Sequence, residues 1–451
     1  RSRDPGRARY RRTARSAVPR RVARAGSAEG ERAGAGIAGD GEAGTTVGRK
    51  DARFAARGRA AGHGTPFVAV GVGEDVDIRV AGDGDRPAEG GLQVADPRGG
   101  GAANRPHSGK GLREHEDIAV GGDRPAIGKG LRPSAARIAA AMPDTPIKLT
   151  YSREEDMTQD FYRPAAIARL SGRLEGGKAT ALWGRTAAPS ATHSALGRLI
   201  GFAPPGPDRA TVEGGFDQPY GLPHYRYDGH IANLTVPLGF WRSVGNSMNA
   251  FFLESFIDEL AHAAKADPLQ FRLDLMRDTH APSATLLETV RDMSGWDALK
   301  RPGFGRGVAF CYSFGTPVAE VLEVQDTPSG IKLTRAWIAC DPGLAMDPSI
   351  IEAQMTGGMV YGLSAAVQGA ITFDDQQVVE RNFPDYDPLR MHTTPSFKVK
   401  ILQNNGTFGH IGGAGEPGTP PAAPALANAL FDLTGTRARE LPLNRAFNLI
   451  T

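Results

Sequence analysis

Cysteine is nearly missing from this chain: 451 residues contain two, Cys311 and Cys340. They lie far apart and form no CxxC pair. That argues against a thiolate-held zinc or iron–sulfur centre within the chain, and against a disulfide framework. Net charge is equally slight at +3, so composition implies no nucleic-acid partner. No apolar run reaches the roughly 20 residues that cross a bilayer. The sequence begins at Arg1 without a methionine, and no apolar signal-peptide core follows.

The shortage deepens over residues 1–133. The aromatics there are Tyr10, Phe54 and Phe67, the leucines Leu92, Leu112 and Leu131, and the lysines Lys50, Lys110 and Lys129. Gly, Ala, Arg, Asp and Pro fill the rest, and no helical or strand period is sustained. Such a segment buries too little apolar surface to offset the entropy of ordering its backbone. It reads as a disordered region, or as a GC-rich gene translated in the wrong frame and joined to the right one near Ser134. Gly71-Val72-Gly73-Glu74 has no patterned surroundings. Arg11, Arg12, Arg20 and Arg21 lack the interleaved aromatics of a nucleic-acid site.

From Ser134 onward the sequence is patterned. Residues 135–141 read as the end of a helix and 147–151 alternate like a strand. Ser152 and Glu155 have capping-box spacing. A hairpin is expected over 170–183, turning at Gly176-Gly177. Residues 186–224 give only loop signals, and 231–237 read as a strand. Residues 249–264 form a helix with Leu253, Ile257, Leu260 and Ala264 on one stripe. Asp267-Pro268 opens another. Antiparallel strands are expected over 307–310, 318–324 and 331–339, with a turn at 328–330. Asp347-Pro348 opens a helix that carries Gly357, Gly358 and Gly362. Interior glycines cost roughly 1 kcal/mol each against alanine, so something must approach that backbone closely: a neighbouring helix, or a bulky cofactor. Gln354 sits one turn earlier.

The densest signal is Gly412-Gly413-Ala414-Gly415-Glu416-Pro417-Gly418-Thr419-Pro420-Pro421. Glycines permit close approach and prolines stiffen the chain, so one carboxylate, Glu416, is presented from a tight loop. Thr419 can cap the helix that follows, and Gly435 is its stop signal. Upstream, Phe240-Trp241-Arg242 places a cation beside two aromatics, fit to hold a planar or anionic ligand, or to stack locally.

These stretches together resemble the molybdenum-binding large subunit of the xanthine dehydrogenase and aldehyde oxidase family. Within it the likeness is strongest to the β subunits of the isoquinoline 1-oxidoreductase branch. The residues carrying it are Ser152-Arg-Glu-Glu-Asp-Met, Asp160-Phe-Tyr-Arg-Pro and Gly239-Phe-Trp-Arg-Ser-Val-Gly-Asn. Glu254-Ser-Phe-Ile-Asp-Glu-Leu-Ala-His, Ala353-Gln-Met-Thr-Gly-Gly and the Glu416 loop complete the set. Order and approximate spacing agree from about Ala135 to Leu443.

The resemblance implies an α+β fold with two molybdopterin-binding domains, over 134–300 and 301–451. It implies a molybdenum ion held by molybdopterin cytosine dinucleotide. The reaction would hydroxylate an N-heteroaromatic or aldehyde carbon with oxygen from water. Glu416 falls on the family's catalytic glutamate and Arg242 on its substrate-orienting arginine, with Trp241 and Phe240 beside it. Gln354, Gly357, Gly358 and Gly415 fall on cofactor-lining stretches. Electrons would leave to a separate small subunit with two [2Fe–2S] clusters. The family's Gly-rich cofactor loops upstream of the helix ending near Ala141 have no counterpart here. That sets up a second expectation, an inactive remnant that binds no molybdenum, and a third, a binding module with a basic arm.

Overall fold

The computed structural model describes residues 70–72, 77–80, 131–203, 205–404, 409 and 411–451. The expectation of disorder or a misread frame therefore falls largely outside the described residues. Two short strands correct the reading that this stretch holds no regular structure: β1 (Val70–Val72) and β2 (Asp77–Val80) both pair in parallel with β3 (Ala166–Glu175). Helix α1 (Leu131–Ala141) and helix α2 (Arg153–Gln159) follow. Both halves of the Ser152–Glu155 capping box form at α2. Residues 147–151 are not a strand. Ile147 and Leu149 are half-buried between exposed neighbours, so the alternation is real, but no strand among the described residues pairs with it.

The first sheet is built on the hairpin of β3 (Ala166–Glu175) and β4 (Lys178–Ala188). It turns where expected: Gly176 and Gly177 both take positive φ, at 54° and 76°, conformations open to glycine. The next strand is β5 (His224–Ile231), parallel to β4, and not 231–237. The pairing ends at Ala188–Ile231 because Pro189 follows and has no N–H to continue the ladder. Between β4 and β5 lie helix α3 (Ala191–Ile200) and a 3₁₀ turn (Arg209–Thr211), where only loop was expected. Ser190 caps α3 and Gly201 ends it at φ 74°, signals that a Gly/Pro-rich neighbourhood masks.

Helix α4 (Val244–Ala263) is buried on every face from Gly245 to Ala261, not along one stripe. It packs on β3, where a Cβ at Gly172 would lie 2.8 Å from Leu260. Among its buried polar residues, Glu254 receives Arg272 Nε at 2.8 Å, the Phe310 amide at 2.9 Å and the Tyr220 hydroxyl. Helix α5 (Pro268–Met276) is capped by Asp267 as expected, and α6 (Ala281–Ser294) follows.

The second sheet has four strands. Strands β6 (Phe304–Ser313), β7 (Thr316–Thr327) and β8 (Gly330–Cys340) form the expected antiparallel meander. Helix α7 (Pro348–Val367) comes next, then the small ribbon of β9 (Phe373–Asp374) and β10 (Gln377–Val378). Strand β11 (Ser396–Ile401) returns parallel to β8, and helix α8 (Ala422–Thr434) ends at Gly435. Gly307 lets α8 lie on the sheet, since a Cβ there would stand 2.2 Å from the Ala425 carbonyl oxygen. The architecture is α+β, and one apolar core runs through both sheets and the helices between them.

Candidate active site

The Glu416 loop lies where α4, α7 and α8 converge. Its first half hangs on the second sheet: the Gly412 amide donates to Pro342 O and the Gly413 amide to Phe314 O, both at 2.8 Å. Its second half lies on α7. A Cβ at Gly358 would be 3.0 Å from the Gly418 carbonyl carbon, and one at Gly362 2.8 Å from Thr419 O. Thr419 does not cap α8, whose N-cap is Pro421. Its hydroxyl donates instead to Gly358 O at 3.1 Å, tying the loop to α7. Two of the three α7 glycines are thus explained by packing. Gly357 is different: like Gly415, it has nothing within 4 Å of a built Cβ.

Arg242 crosses to this loop from the start of α4. Its Nε donates to Gly415 O at 2.8 Å, and its Nη2 to Gln354 Oε1 at 2.9 Å and Gln354 O at 3.3 Å. Ser243 Oγ donates to Glu416 O at 2.7 Å. Ser243 and Val244 hold consecutive positive φ values, 73° and 47°. For a β-branched residue that is a strained conformation. The strained turn is what aims Arg242 and Ser243 at the loop. Glu416 itself is half-buried, and its Oε2 is sealed from solvent without a hydrogen-bond partner among the described residues.

Beside the loop stands a stack of aromatics and cations. The Trp241 and Tyr361 rings are 4.7 Å apart at 34°. Arg163 covers the Trp241 face at 4.0 Å and donates to Ser247 Oγ at 3.1 Å. The Arg242 guanidinium is 5.8 Å from the Tyr361 ring centre. Burial lowers the Arg163 pKa to about 10, still far above neutral, so Arg163 stays charged. Burial raises the Tyr361 and Tyr386 hydroxyls, so both are neutral donors. Trp241, Gly357, Tyr361, Ser364, Tyr386 and Leu389 line a cleft of about 250 Å³.

The sequence-derived residues are therefore brought together: Glu416, Gly415, Arg242, Gln354, Gly357, Gly358 and Trp241 share one locality. Phe240 stands off at 55 % exposure on the neighbouring small cavity, next to Arg163 and Gly245. Sequence reasoning gave no role to Ser243, Tyr361, Tyr386 or Arg163, although Arg163 lies inside the Asp160–Pro164 motif and Ser243 inside the Gly239–Asn246 motif. It also missed Glu213, whose carboxyl is raised by burial; Arg209 opposes this, while Asp217, Asp208 and Glu416 add to it.

Among the described residues no three His, Cys, Asp or Glu side chains gather as a metal site. The open space beside Gly357 and Gly415, the free buried oxygen of Glu416 and the neighbouring cleft suit a bulky group seated on backbone.

Comparison with known proteins shows what the chain is similar to. Residues 131–276 and 271–395 match two molybdopterin cofactor-binding domain families. The chain is 29 % identical over 341 residues to the beta subunit of isoquinoline 1-oxidoreductase from Brevundimonas diminuta, covering 74 % of this chain and 43 % of that protein. It is 27 % identical over 328 residues to a nicotinate dehydrogenase subunit of Pseudomonas putida, covering 66 % and 27 %. Its fold is similar to that of quinoline 2-oxidoreductase from Pseudomonas putida 86, with a TM-score of 0.55 at 12 % identity, covering 65 % of this chain and 62 % of that one. The chain spans less than half the length of the curated relatives it matches. With two consecutive cofactor-binding domains and this set of relatives, the chain belongs to the xanthine dehydrogenase and aldehyde oxidase family, as sequence of its molybdenum-binding subunit.

Proposed function

We propose that this chain is the catalytic part of a molybdenum hydroxylase subunit, with Glu416 as the base that takes the proton from the water-derived oxygen that attacks the substrate. The observation that carries the reading is the state of that carboxylate. One oxygen is buried and unbonded, while the loop behind it is fixed by Arg242, Ser243 and Thr419. A base works best when its position is set beforehand and its lone pair is not already used.

Gln354, Gly357 and Gly415 would hold the pterin, in the form of molybdopterin cytosine dinucleotide; Gly358 serves mainly to seat α7 on the loop. The bound cofactor supplies the two-electron redox chemistry and the activation of water. Arg242 has two tasks. Its hydrogen bonds place Gly415 and hence Glu416, and its charge favours negative charge developing on a substrate in the cleft. Trp241 and Tyr361 bring two aromatic rings to the cleft wall, which suits an aromatic ring, and Phe240 stands at the outer edge. The substrate class is an N-heteroaromatic ring or an aldehyde. Electrons would pass to a separate subunit with two [2Fe–2S] clusters, since Cys311 and Cys340 are both buried and apart in the sequence. The cofactor-binding halves would divide near residue 300, at 134–300 and 301–451.

The test is Glu416→Gln in the assembled enzyme. Turnover should fall by at least the 10²–10⁴ typical of a lost general base, while stoichiometric molybdenum is retained on metal analysis. Full turnover in that variant would remove Glu416 from the reaction. Absence of molybdenum from the wild-type assembly would leave an inactive remnant instead.

A further inference from the structure

The cleft beside the loop holds two hydroxyl groups that the reading above does not use. Tyr361 lies on α7, and Tyr386 lies on the segment between β10 and β11. Both line the same cavity of about 250 Å³, together with Trp241 and Leu389. The second segment is pinned to the end of α7. Gln368 Nε2 donates to Asp387 O at 2.6 Å, and the Leu389 amide donates to Ser364 Oγ at 3.2 Å. Gly369 leaves room for the second phenol, since a Cβ there would stand 3.1 Å from Tyr386 Oη. Neither phenol hydroxyl has a hydrogen-bond partner among the described residues.

The other hydroxyl and the carboxylates nearby are already spent. Ser364 Oγ also donates to Val360 O at 2.7 Å. The Asp387 carboxylate pairs with Arg390. Glu380, which faces Tyr386, accepts from the Thr372 amide at 2.6 Å and from its hydroxyl at 2.7 Å. The cation facing both phenols is Arg163, stacked on Trp241 at 4.0 Å. Arg242 adds to it at Tyr361, 5.8 Å from that ring. A hydroxyl beside a cation turns its oxygen to the charge and its hydrogen away. Tyrosine hydroxyls taken out of bulk water usually find a partner. Two open donors with positive charge behind them are therefore the complement of an anion that accepts twice. A carboxylate has both properties. The Trp241 and Tyr361 rings, 4.7 Å apart, suit an aromatic body attached to it.

We propose that Tyr361 and Tyr386 together bind a carboxylate carried on the substrate's ring, so that the cleft selects aromatic acids over unsubstituted rings. The inference rests on this cleft being the substrate site, and not on the role of Glu416. The two phenols hold the substrate and exchange no proton with it.

The first arm of the test measures binding to the assembled enzyme by isothermal titration calorimetry, with benzoate, benzamide and toluene as probes. Benzoate should bind most tightly, because benzamide lacks the charge and toluene lacks the acceptors. Tyr361→Phe and Tyr386→Phe should each weaken benzoate on the order of tenfold and leave toluene unchanged. Benzoate binding no tighter than toluene, or unchanged in both variants, overturns the proposal, and so does benzamide matching benzoate. Should Tyr386→Phe fail to fold, Tyr361→Phe decides alone. The second arm uses turnover of benzaldehyde or isoquinoline. Benzoate should inhibit competitively, and less so in Tyr361→Phe. Benzoate that binds without competing overturns the assignment of the phenols to the substrate. Full turnover of Glu416→Gln faults the base alone, since benzoate binding does not pass through it.

Discussion

Arg242 spends its guanidinium on two carbonyls and one amide oxygen drawn from two distant segments. Lysine is a point donor and cannot bridge Gly415 and Gln354 together. Arg242→Ala should therefore loosen the loop: amide hydrogen exchange at residues 413–419 should speed up, and kcat should fall on the order of a hundredfold. Arg242→Lys should restore only part of either. Exchange rates equal to wild type in Arg242→Ala would show that the loop does not depend on the clamp. At this scale the sequence was informative where function compresses into one short stretch. Glu416 stands out because glycine and proline surround it, and Arg242 because two aromatics precede it. Ser243, Tyr361 and Glu213 carry no such local mark. Ser243 meets Glu416 across 173 positions, and nothing in a hydroxyl's immediate neighbours announces that.

On α7 the three glycines do different work, and substitution separates them. Gly362→Ala sets a Cβ against Thr419 O and Ala422 Cβ, both at 2.8 Å. Overpacking of this kind costs about 1–3 kcal/mol. Gly357→Ala meets nothing and should stabilise the helix by about 1 kcal/mol, while filling space beside the cleft. Urea unfolding of the two variants should shift the midpoint in opposite directions; a shared direction would contradict this division. The elements that were legible have strong punctuation: Gly176-Gly177 between β3 and β4, Asp267-Pro268 before α5, Asp347-Pro348 before α7. Those misread were decided by tertiary pairing. Residues 147–151 alternate but have no partner strand among the described residues. The β5 boundary is set by Pro189 on its neighbour, not by β5 itself. The stripe expected on α4 was too narrow because both sheets and α8 close around that helix.

Across the whole molecule, buried ion pairs mark where stability depends on pH. Glu323 on β7 receives Arg335 Nη2 at 2.8 Å, Arg301 Nη2 and Thr334 Oγ1 at 2.9 Å, and Arg306 Nε at 3.1 Å. Burial alone would raise its carboxyl. The hydrogen bonds from Arg335, Thr334, Arg301 and Arg306 outweigh that and hold its pKa at about 2, against an ordinary 4.5. A depressed carboxyl contributes stability that is fully present above its unfolded value and lost as pH falls through the folded one. Wild-type stability should therefore decline from about pH 4.5 toward pH 2, and Glu323→Gln should flatten that decline in denaturant titrations at successive pH values. A parallel decline in the variant would assign the acid sensitivity elsewhere. The site itself straddles a seam. Arg242 and Ser243 lead into the helix around which both sheets close, while Glu416 hangs from the second sheet by Gly412 and Gly413. Neither sheet owns the reactive geometry, so parting them slightly would misalign the carboxylate long before either core melts. In a graded urea series, inactivation should run ahead of the loss of helical ellipticity.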